Sequence, residues 1–223
     1  MQFDFHRAAD VADAVRLLGQ GGAEAKPIAG GTALVLGGDR GEAWPRLVVG
    51  VGHLTELQGL DVGEGGIRLG AALRLRRLEG ARLPAWAMAV VDAASSIASP
   101  ALRGQATLGG DLAHGAHTAD LVPVAVALDG RLELTGPAGG ELAASAIRMR
   151  LHDALPERSL VTALRVAAPM GRAASAFVKF GIGQGMEYPL ASVALALDVE
   201  LGVVARARVA LGAAASDPVR LTA

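Results

Sequence analysis

The sequence predicts an α+β fold organised in three sections. The first section alternates short apolar runs with helical patterns in a β-α-β-α-β order, which implies parallel strands joined by crossovers. The middle section combines a hairpin signal with apolar helices, and the last section contains mainly strand-like runs. These changes of pattern place the predicted domains at residues 1–52, 53–170 and 171–223.

The first section is predicted to form a small parallel sheet. Asp10 is placed as the N-cap of a helix whose apolar stripe stops at two glycines, residues 21–22. Gly30 and Gly31 precede a second short helix at residues 32–36. Alternating or apolar runs predict three strands, at residues 2–5, 26–29 and 47–51.

The middle and last sections are predicted to mix strands with helices. Two strand-like pieces within residues 57–69 flank a glycine-rich turn at residues 63–66, which is the signal of a hairpin. Apolar segments at residues 83–96 and 120–128 predict helices. Further strands are predicted at residues 131–135, 160–166, 175–180 and 203–211, and an Ala/Val/Leu segment lies at residues 189–201.

Composition excludes several classes of function. The 223 residues carry a net charge of −1, so no basic field indicates nucleic-acid binding. No apolar run reaches the ~20 residues that span a bilayer without an interrupting Gly, Pro or charge, and the N-terminus lacks the apolar region of a signal peptide. The chain has no cysteine, so it offers no disulfide and no thiolate ligand for an iron–sulfur cluster, which fits a cytoplasmic location.

Two glycine pairs point to a ligand that contains phosphate. Gly30-Gly31 and Gly109-Gly110 each follow a short apolar run and lead into a segment that could start a helix. Glycine lets backbone N–H groups approach an anion with no Cβ atom in the way. Two such turns suit a ligand with two phosphates, so we expect a dinucleotide cofactor. Taken alone, either pair could be an ordinary loop in a chain with 30 glycines.

The residues around both pairs resemble one family. PIAGGT (residues 27–32) and TLGGDLAHG (residues 107–115) are similar to motifs in the flavoprotein subunits of molybdenum hydroxylases, which include carbon monoxide, xanthine and nicotine dehydrogenases. The resemblance implies the FAD-binding fold of the vanillyl-alcohol oxidase (PCMH) type. Two FAD-binding subdomains would be followed by a shortened C-terminal domain like that of CO dehydrogenase flavoproteins. The similarity continues at residues 47–49, 68–71, 99–103, 179–180 and 191–197.

The resemblance also implies which residues bind FAD. The first turn would wrap the pyrophosphate with main-chain N–H groups, and the second would close on the pyrophosphate and ribityl side. Asp120 matches a cofactor-contacting acid and could accept hydrogen bonds from a ribose, although its position also suits a helix N-cap. The implied cofactor-binding residues are Lys26, Pro27, Ile28, Ala29, Gly30, Gly31, Thr32, Ala33, Ala98, Thr107, Leu108, Gly109, Gly110, Asp111, Asp120, Leu160 and Lys179.

Two of these positions depart from the family pattern. Asp111 stands where the family usually has Asn, and a carboxylate near a pyrophosphate would repel it unless it were protonated or turned away. Ala33 replaces a side chain that is usually polar, which removes one hydrogen bond of about 0.5–1.5 kcal/mol net.

The resemblance implies an oxidoreductase subunit without acid–base catalytic residues of its own. FAD would carry electrons from a 2Fe-2S small subunit, which receives them from a molybdopterin-binding large subunit, to NAD or another acceptor. No metal site is predicted, because His114 and His117 lack a third ligand in any firm pattern. Two alternatives stay open: a stand-alone FAD oxidoreductase, and a non-catalytic relative that has lost FAD and serves in assembly.

Overall fold

A computed structural model describes residues 3–114, 118–137, 139–146, 158–182, 189–215 and 217–221. Its strands are β1 (Asp4–Arg7), β2 (Ala25–Ile28), β3 (Leu47–Gly50), β4 (Leu60–Gly63), β5 (Gly66–Gly70), β6 (Arg131–Thr135), β7 (Gly140–Ala143), β8 (Leu160–Ala167), β9 (Arg172–Phe180), β10 (Ala191–Glu200), β11 (Val203–Gly212) and β12 (Val219–Leu221). Its helices are α1 (Val11–Gly21), α2 (Thr32–Asp39), α3 (Leu75–Glu79), α4 (Met88–Ser96), α5 (Pro100–Arg103), α6 (Leu108–His114) and α7 (Leu121–Ala127).

The first section forms a three-stranded sheet in the order β1-β3-β2, and both of its strand pairs are parallel. Asp10 caps α1, since its carboxylate accepts a hydrogen bond from the Asp13 N–H at 2.7 Å. The predicted parallel sheet and cap are therefore confirmed. Residue 2, the first of the predicted opening strand, lies outside the described residues.

The middle section forms a five-stranded antiparallel sheet in the order β4-β5-β8-β6-β7. The predicted hairpin is β4 and β5, which pair directly across the turn. The predicted helix at residues 83–96 begins later, because residues 85–87 form a 3₁₀ turn and α4 starts at Met88. Helices α3 and α5 were not predicted, since five and four residues are too few to show a helical period.

The last section forms a four-stranded antiparallel sheet in the order β12-β11-β10-β9. The Ala/Val/Leu segment at residues 189–201 supplies β10, the strand between β9 and β11. Helices α4 and α7 pack on one face of this sheet. Two hydrogen bonds join α4 to β9: the Ala89 N–H donates to the Ser175 hydroxyl at 3.0 Å, and the Phe177 N–H donates to Asp92 at 3.2 Å.

Two apolar clusters form the core of the protein. The larger one lies among the helices and the two antiparallel sheets. The smaller one joins α1 and the parallel sheet to Leu54, Leu57, Ala72 and Leu160, which lie beyond the predicted boundary at residue 52. The first section therefore completes its core with side chains from the second.

Candidate functional site

The two glycine-containing turns lie against each other in the fold. A Cβ atom on Gly30 would stand 2.2 Å from the Gln105 carbonyl oxygen and 3.1 Å from the Ala106 Cα. The turn after β2 is thus in backbone contact with the loop that leads into α6. Only glycine permits this approach, because any side chain would overlap the facing backbone.

The two glycines of each pair have different surroundings. Gly109 is packed against β5, since its Cβ would lie 2.7 Å from the Ala71 Cβ atom. Gly110 is exposed, and its Cβ would meet only the Thr107 hydroxyl at 3.0 Å. Gly31 has φ 73°, a conformation that favours glycine. The second glycine of each pair is therefore free of contact with a facing backbone, while the first holds protein segments together.

The helix positions differ between the two pairs. Gly31 is the N-cap of α2, as predicted for a turn that leads into a helix. Gly109 and Gly110 lie inside the first turn of α6, which begins at Leu108, so the prediction that this pair precedes its helix is wrong. Thr107 explains the early start, because its hydroxyl accepts a hydrogen bond from the Gly110 N–H at 3.2 Å.

Asp120 and Lys179 form a buried ion pair at the start of α7. Lys179 Nζ lies 2.6 Å from Asp120 Oδ2 and also donates to the Ser96 carbonyl at 3.3 Å. Asp120 is 3% exposed, and its Oδ1 has no hydrogen-bond partner within the described parts of the chain. Burial raises the pKa of Asp120, while the hydrogen bond and charge of Lys179 lower it.

The alternative of Asp120 as a capping residue is wrong. It occupies the N-cap position of α7, but its side chain makes no capping hydrogen bond. The carboxylate is turned to Lys179 instead, which leaves Oδ1 as a buried acceptor with no donor among the described residues. Buried acceptors are nearly always satisfied in folded proteins, so this oxygen could accept a hydrogen bond from a hydroxyl of a bound ligand.

Asp111 is turned toward the protein. Its Oδ2 accepts a hydrogen bond from the Leu121 N–H at 3.0 Å, so the carboxyl group joins α6 to the start of α7. The pKa of Asp111 is raised to about 7, chiefly by burial and also by the Asp120 charge, while the Leu121 N–H and Lys179 act in the opposite direction. A carboxylate at this position was expected to be either protonated or turned away from the pyrophosphate. The structure shows it turned toward the Leu121 N–H.

Ala98 has an unusual backbone conformation, which is held by Arg103, a residue that was not among the predicted site residues. Its φ is 44°, and a non-glycine residue in this region costs about 1–3 kcal/mol. Arg103, 7% exposed, donates to the carbonyls of Ile97 at 3.0 Å and Ala98 at 2.8 Å. It also forms a bidentate pair with Glu79. Sequence reasoning missed this role, although residues 99–103 were among those that carried the resemblance.

The remaining predicted residues are spread over both turns and the core. Leu108 and Leu160 are buried in the apolar clusters, so their side chains face the protein. Lys26 and Pro27 are exposed on β2. The others of the first turn are half-buried, namely Ile28, Ala29, Thr32 and Ala33.

Neither of two surface recesses in the structure involves a predicted site residue. One of about 370 Å³ is lined by residues of β1, α1 and β3, and one of about 220 Å³ lies beside Arg68 and Glu133. Within the described residues, no three potential ligands gather as for a metal ion; His117 lies outside them. No described helix is long and apolar enough to cross a membrane.

Comparison with known proteins decides the family. Residues 1–168 match the family described as the FAD binding domain in molybdopterin dehydrogenase. The chain belongs to this FAD-binding family. The resemblance noted in the sequence is thereby confirmed, and so is FAD as the cofactor of this flavoprotein.

The two relatives and the solved structure described next each align with nearly all of this FAD-binding chain. The xanthine dehydrogenase FAD-binding subunit of Escherichia coli O157:H7 is 31% identical over 98% of the chain and 77% of its own length. The carbon monoxide dehydrogenase medium chain of Afipia carboxidovorans is 29% identical over 97% and 76%. A chain in the crystal structure of the Cu,Mo-CO dehydrogenase superposes with a TM-score of 0.90 at 28% identity, covering 99% and 78%. These matches confirm the predicted fold class and a flavoprotein subunit of an oxidoreductase.

Proposed function

We propose that this FAD-binding subunit transfers electrons within a molybdenum hydroxylase-type dehydrogenase, between partner iron–sulfur clusters and an acceptor such as NAD. When bound, FAD supplies the redox chemistry, because it can exchange electrons with both kinds of partner. The observation that carries the proposal is the backbone contact between the two glycine turns at Gly30 and Gln105. This contact supports the proposal because both turns are the ones predicted to bind phosphate.

The residues of the chain bind and orient the cofactor in this proposal. Backbone N–H groups of the first turn, within residues 26–33, face the pyrophosphate. At the second turn the exposed Gly110 leaves room for close approach, while the N–H groups of residues 108–111 donate within the protein. Asp120 Oδ1 accepts a hydrogen bond from a hydroxyl of the sugar portion of FAD, while Lys179 holds the carboxylate in place. Ala98 and Leu160 contribute contacts at the edge of the site, Leu160 through its backbone.

The proposed partners are a molybdopterin-binding large subunit and a 2Fe-2S small subunit. With no cysteine, this chain has no thiolate to ligate an iron–sulfur cluster, so the clusters must come from another chain. The relatives named as subunits or medium chains support an assembly of this type.

An exposed apolar sheet face favours such an assembly over a stand-alone oxidoreductase. Val178, Val193, Leu211 and Val219 are register partners across all four strands of the last sheet. The exposed fraction is 67% at Val178 and 64% at Phe180, on the face opposite α4 and α7. Large exposed apolar patches mark surfaces that another polypeptide covers.

Flavin titration of the purified chain tests the function. We expect FAD to bind with a change in its fluorescence, and FMN, which has one phosphate, to bind far more weakly. Failure to bind FAD would favour the non-catalytic alternative. Steady turnover by the FAD-loaded chain alone, in which FAD takes two electrons from added NADH and passes them to a small acceptor at the rate of a complete dehydrogenase, would favour the stand-alone one.

A further inference from the structure

Arg103 is a buried cation whose hydrogen bonds are directed to one short turn and one helix. Its Nε and Nη2 bind the Glu79 carboxylate at 3.1 and 2.9 Å, and its Nη1 donates to the carbonyls of Ile97 and Ala98. A buried guanidinium is tolerated when its donors are used in this way. The planar fork suits the bidentate geometry, which lysine cannot reproduce.

The turn that Arg103 holds is strained and would relax without support. Ala98 lies at φ 44°, and both carbonyls that Arg103 binds belong to this turn. Ser99 adds a second restraint, since its hydroxyl accepts from the Leu102 N–H at 3.2 Å. Strained residues of this kind persist only where their surroundings fix them.

The same turn is joined to the buried ion pair of the site. Ser96, two residues before Ala98, offers its carbonyl to Lys179 Nζ at 3.3 Å, and Lys179 Nζ lies 2.6 Å from Asp120. A continuous set of polar contacts therefore runs from Glu79 through Arg103 and the turn to the free oxygen of Asp120. Its members come from α3, the end of α4, the turn at residues 97–99, α5, β9 and the start of α7.

We propose that Arg103, together with Glu79, is a positioning residue for FAD. It holds the turn at residues 97–99 so that Ala98 and the Lys179–Asp120 pair face the cofactor. Arg103 touches no part of the cofactor in this arrangement and acts through the turn. The inference rests on the proposed binding of FAD at this site.

The test compares Arg103→Lys and Glu79→Gln with a matched control. Arg68→Lys removes a similar pairing with Glu133, where Arg68 Nη2 lies 2.7 Å from the carboxylate, in the five-stranded sheet away from the turn. We expect each of the first two variants to bind FAD roughly tenfold more weakly, because Arg103→Lys loses hydrogen bonds to the turn and Glu79→Gln loses one of the two that hold Arg103. The visible circular dichroism of the bound flavin should change as well. Arg68→Lys should leave both readouts as in the parent chain.

A second substitution separates positioning from general destabilisation. Gly tolerates positive φ, so Ala98→Gly should remove the strain that drives the turn to relax. We expect Ala98→Gly in the Arg103→Lys background to recover most of the lost FAD affinity. Parent-like affinity and dichroism in Arg103→Lys and Glu79→Gln would overturn the positioning role alone, and so would a loss that Ala98→Gly does not recover. Absence of FAD binding by the parent chain would overturn the proposed function and this inference together.

Discussion

Replacing Asp111 with Asn should remove a loss of stability that this protein suffers as the pH rises from about 4 to 7. The pKa of the Asp111 carboxyl is raised from 3.8 to about 7 in the folded chain. Between these values the folded state binds more protons than the unfolded state, so stability falls as pH rises through this window. The full cost, present above about pH 7, is about 4 kcal/mol at most.

The Asn variant avoids this cost while keeping the shape of the side chain. Its amide oxygen can still accept the Leu121 N–H, and it places no second negative charge beside Asp120. We expect Asp111→Asn to be more stable than the parent by about 1–3 kcal/mol at pH 8 and to lose more than half of this advantage by pH 5. The measurement is urea unfolding at several pH values between 5 and 8.

The control is Asp61→Asn, at an exposed position on β4, whose stability should follow the parent at every pH. A difference between Asp111→Asn and the parent that stays constant from pH 5 to pH 8 would refute the reasoning. Because the Asp111 carboxyl is turned to Leu121, we also expect FAD affinity in this variant to change by no more than a few-fold. That change should be the same at low and high salt, whereas direct repulsion of the pyrophosphate would be screened.

Two further predictions concern the turns and the ion pair. Gly110→Val should weaken FAD binding at least about tenfold with little loss of stability. Gly30→Val should lower both FAD affinity and stability, because its Cβ would meet backbone atoms. Gly31→Val should also lower both, through strain at positive φ. Flavin titration and urea unfolding of the three variants check this. Lys179→Met should destabilise the chain by about 3–5 kcal/mol, since it leaves Asp120 buried without a partner. Adding Asp120→Asn should recover much of that stability, which a double-mutant cycle measures.

Local sequence patterns were sufficient for the elements with a clear period or turn. The stripe of α1, its Asp10 cap and the hairpin of β4 and β5 all have short-range signals. The sequence does not decide the structure of the run that forms β10, because consecutive Ala, Val and Leu suit a buried strand as well as a helix. Its pairing with β9 and β11 decides between them.

In the site as well, local motifs predict some features, while contacts between distant segments determine the others. The glycine turns have motifs that can be read locally, but their contact joins Gly30 to Gln105, which is far along the chain in the loop before α6. The Glu79–Arg103 pair has no local signal, since it depends on how α3 and α5 pack together. The direction of the Asp111 carboxyl was open for the same reason: only the fold brings the Leu121 N–H within reach.

The shared apolar cluster has a consequence for the order of folding events. All three strands of the parallel sheet lie within residues 4–50, so their pairing needs no later part of the chain. Its core nevertheless includes Leu160, from a strand far along the chain, so this sheet reaches its final stability only after β8 has been synthesised and paired. We therefore expect the first turn to acquire its final geometry late in folding. A ribosome-bound chain that ends before β8 should not retain FAD, even though both glycine turns have already emerged.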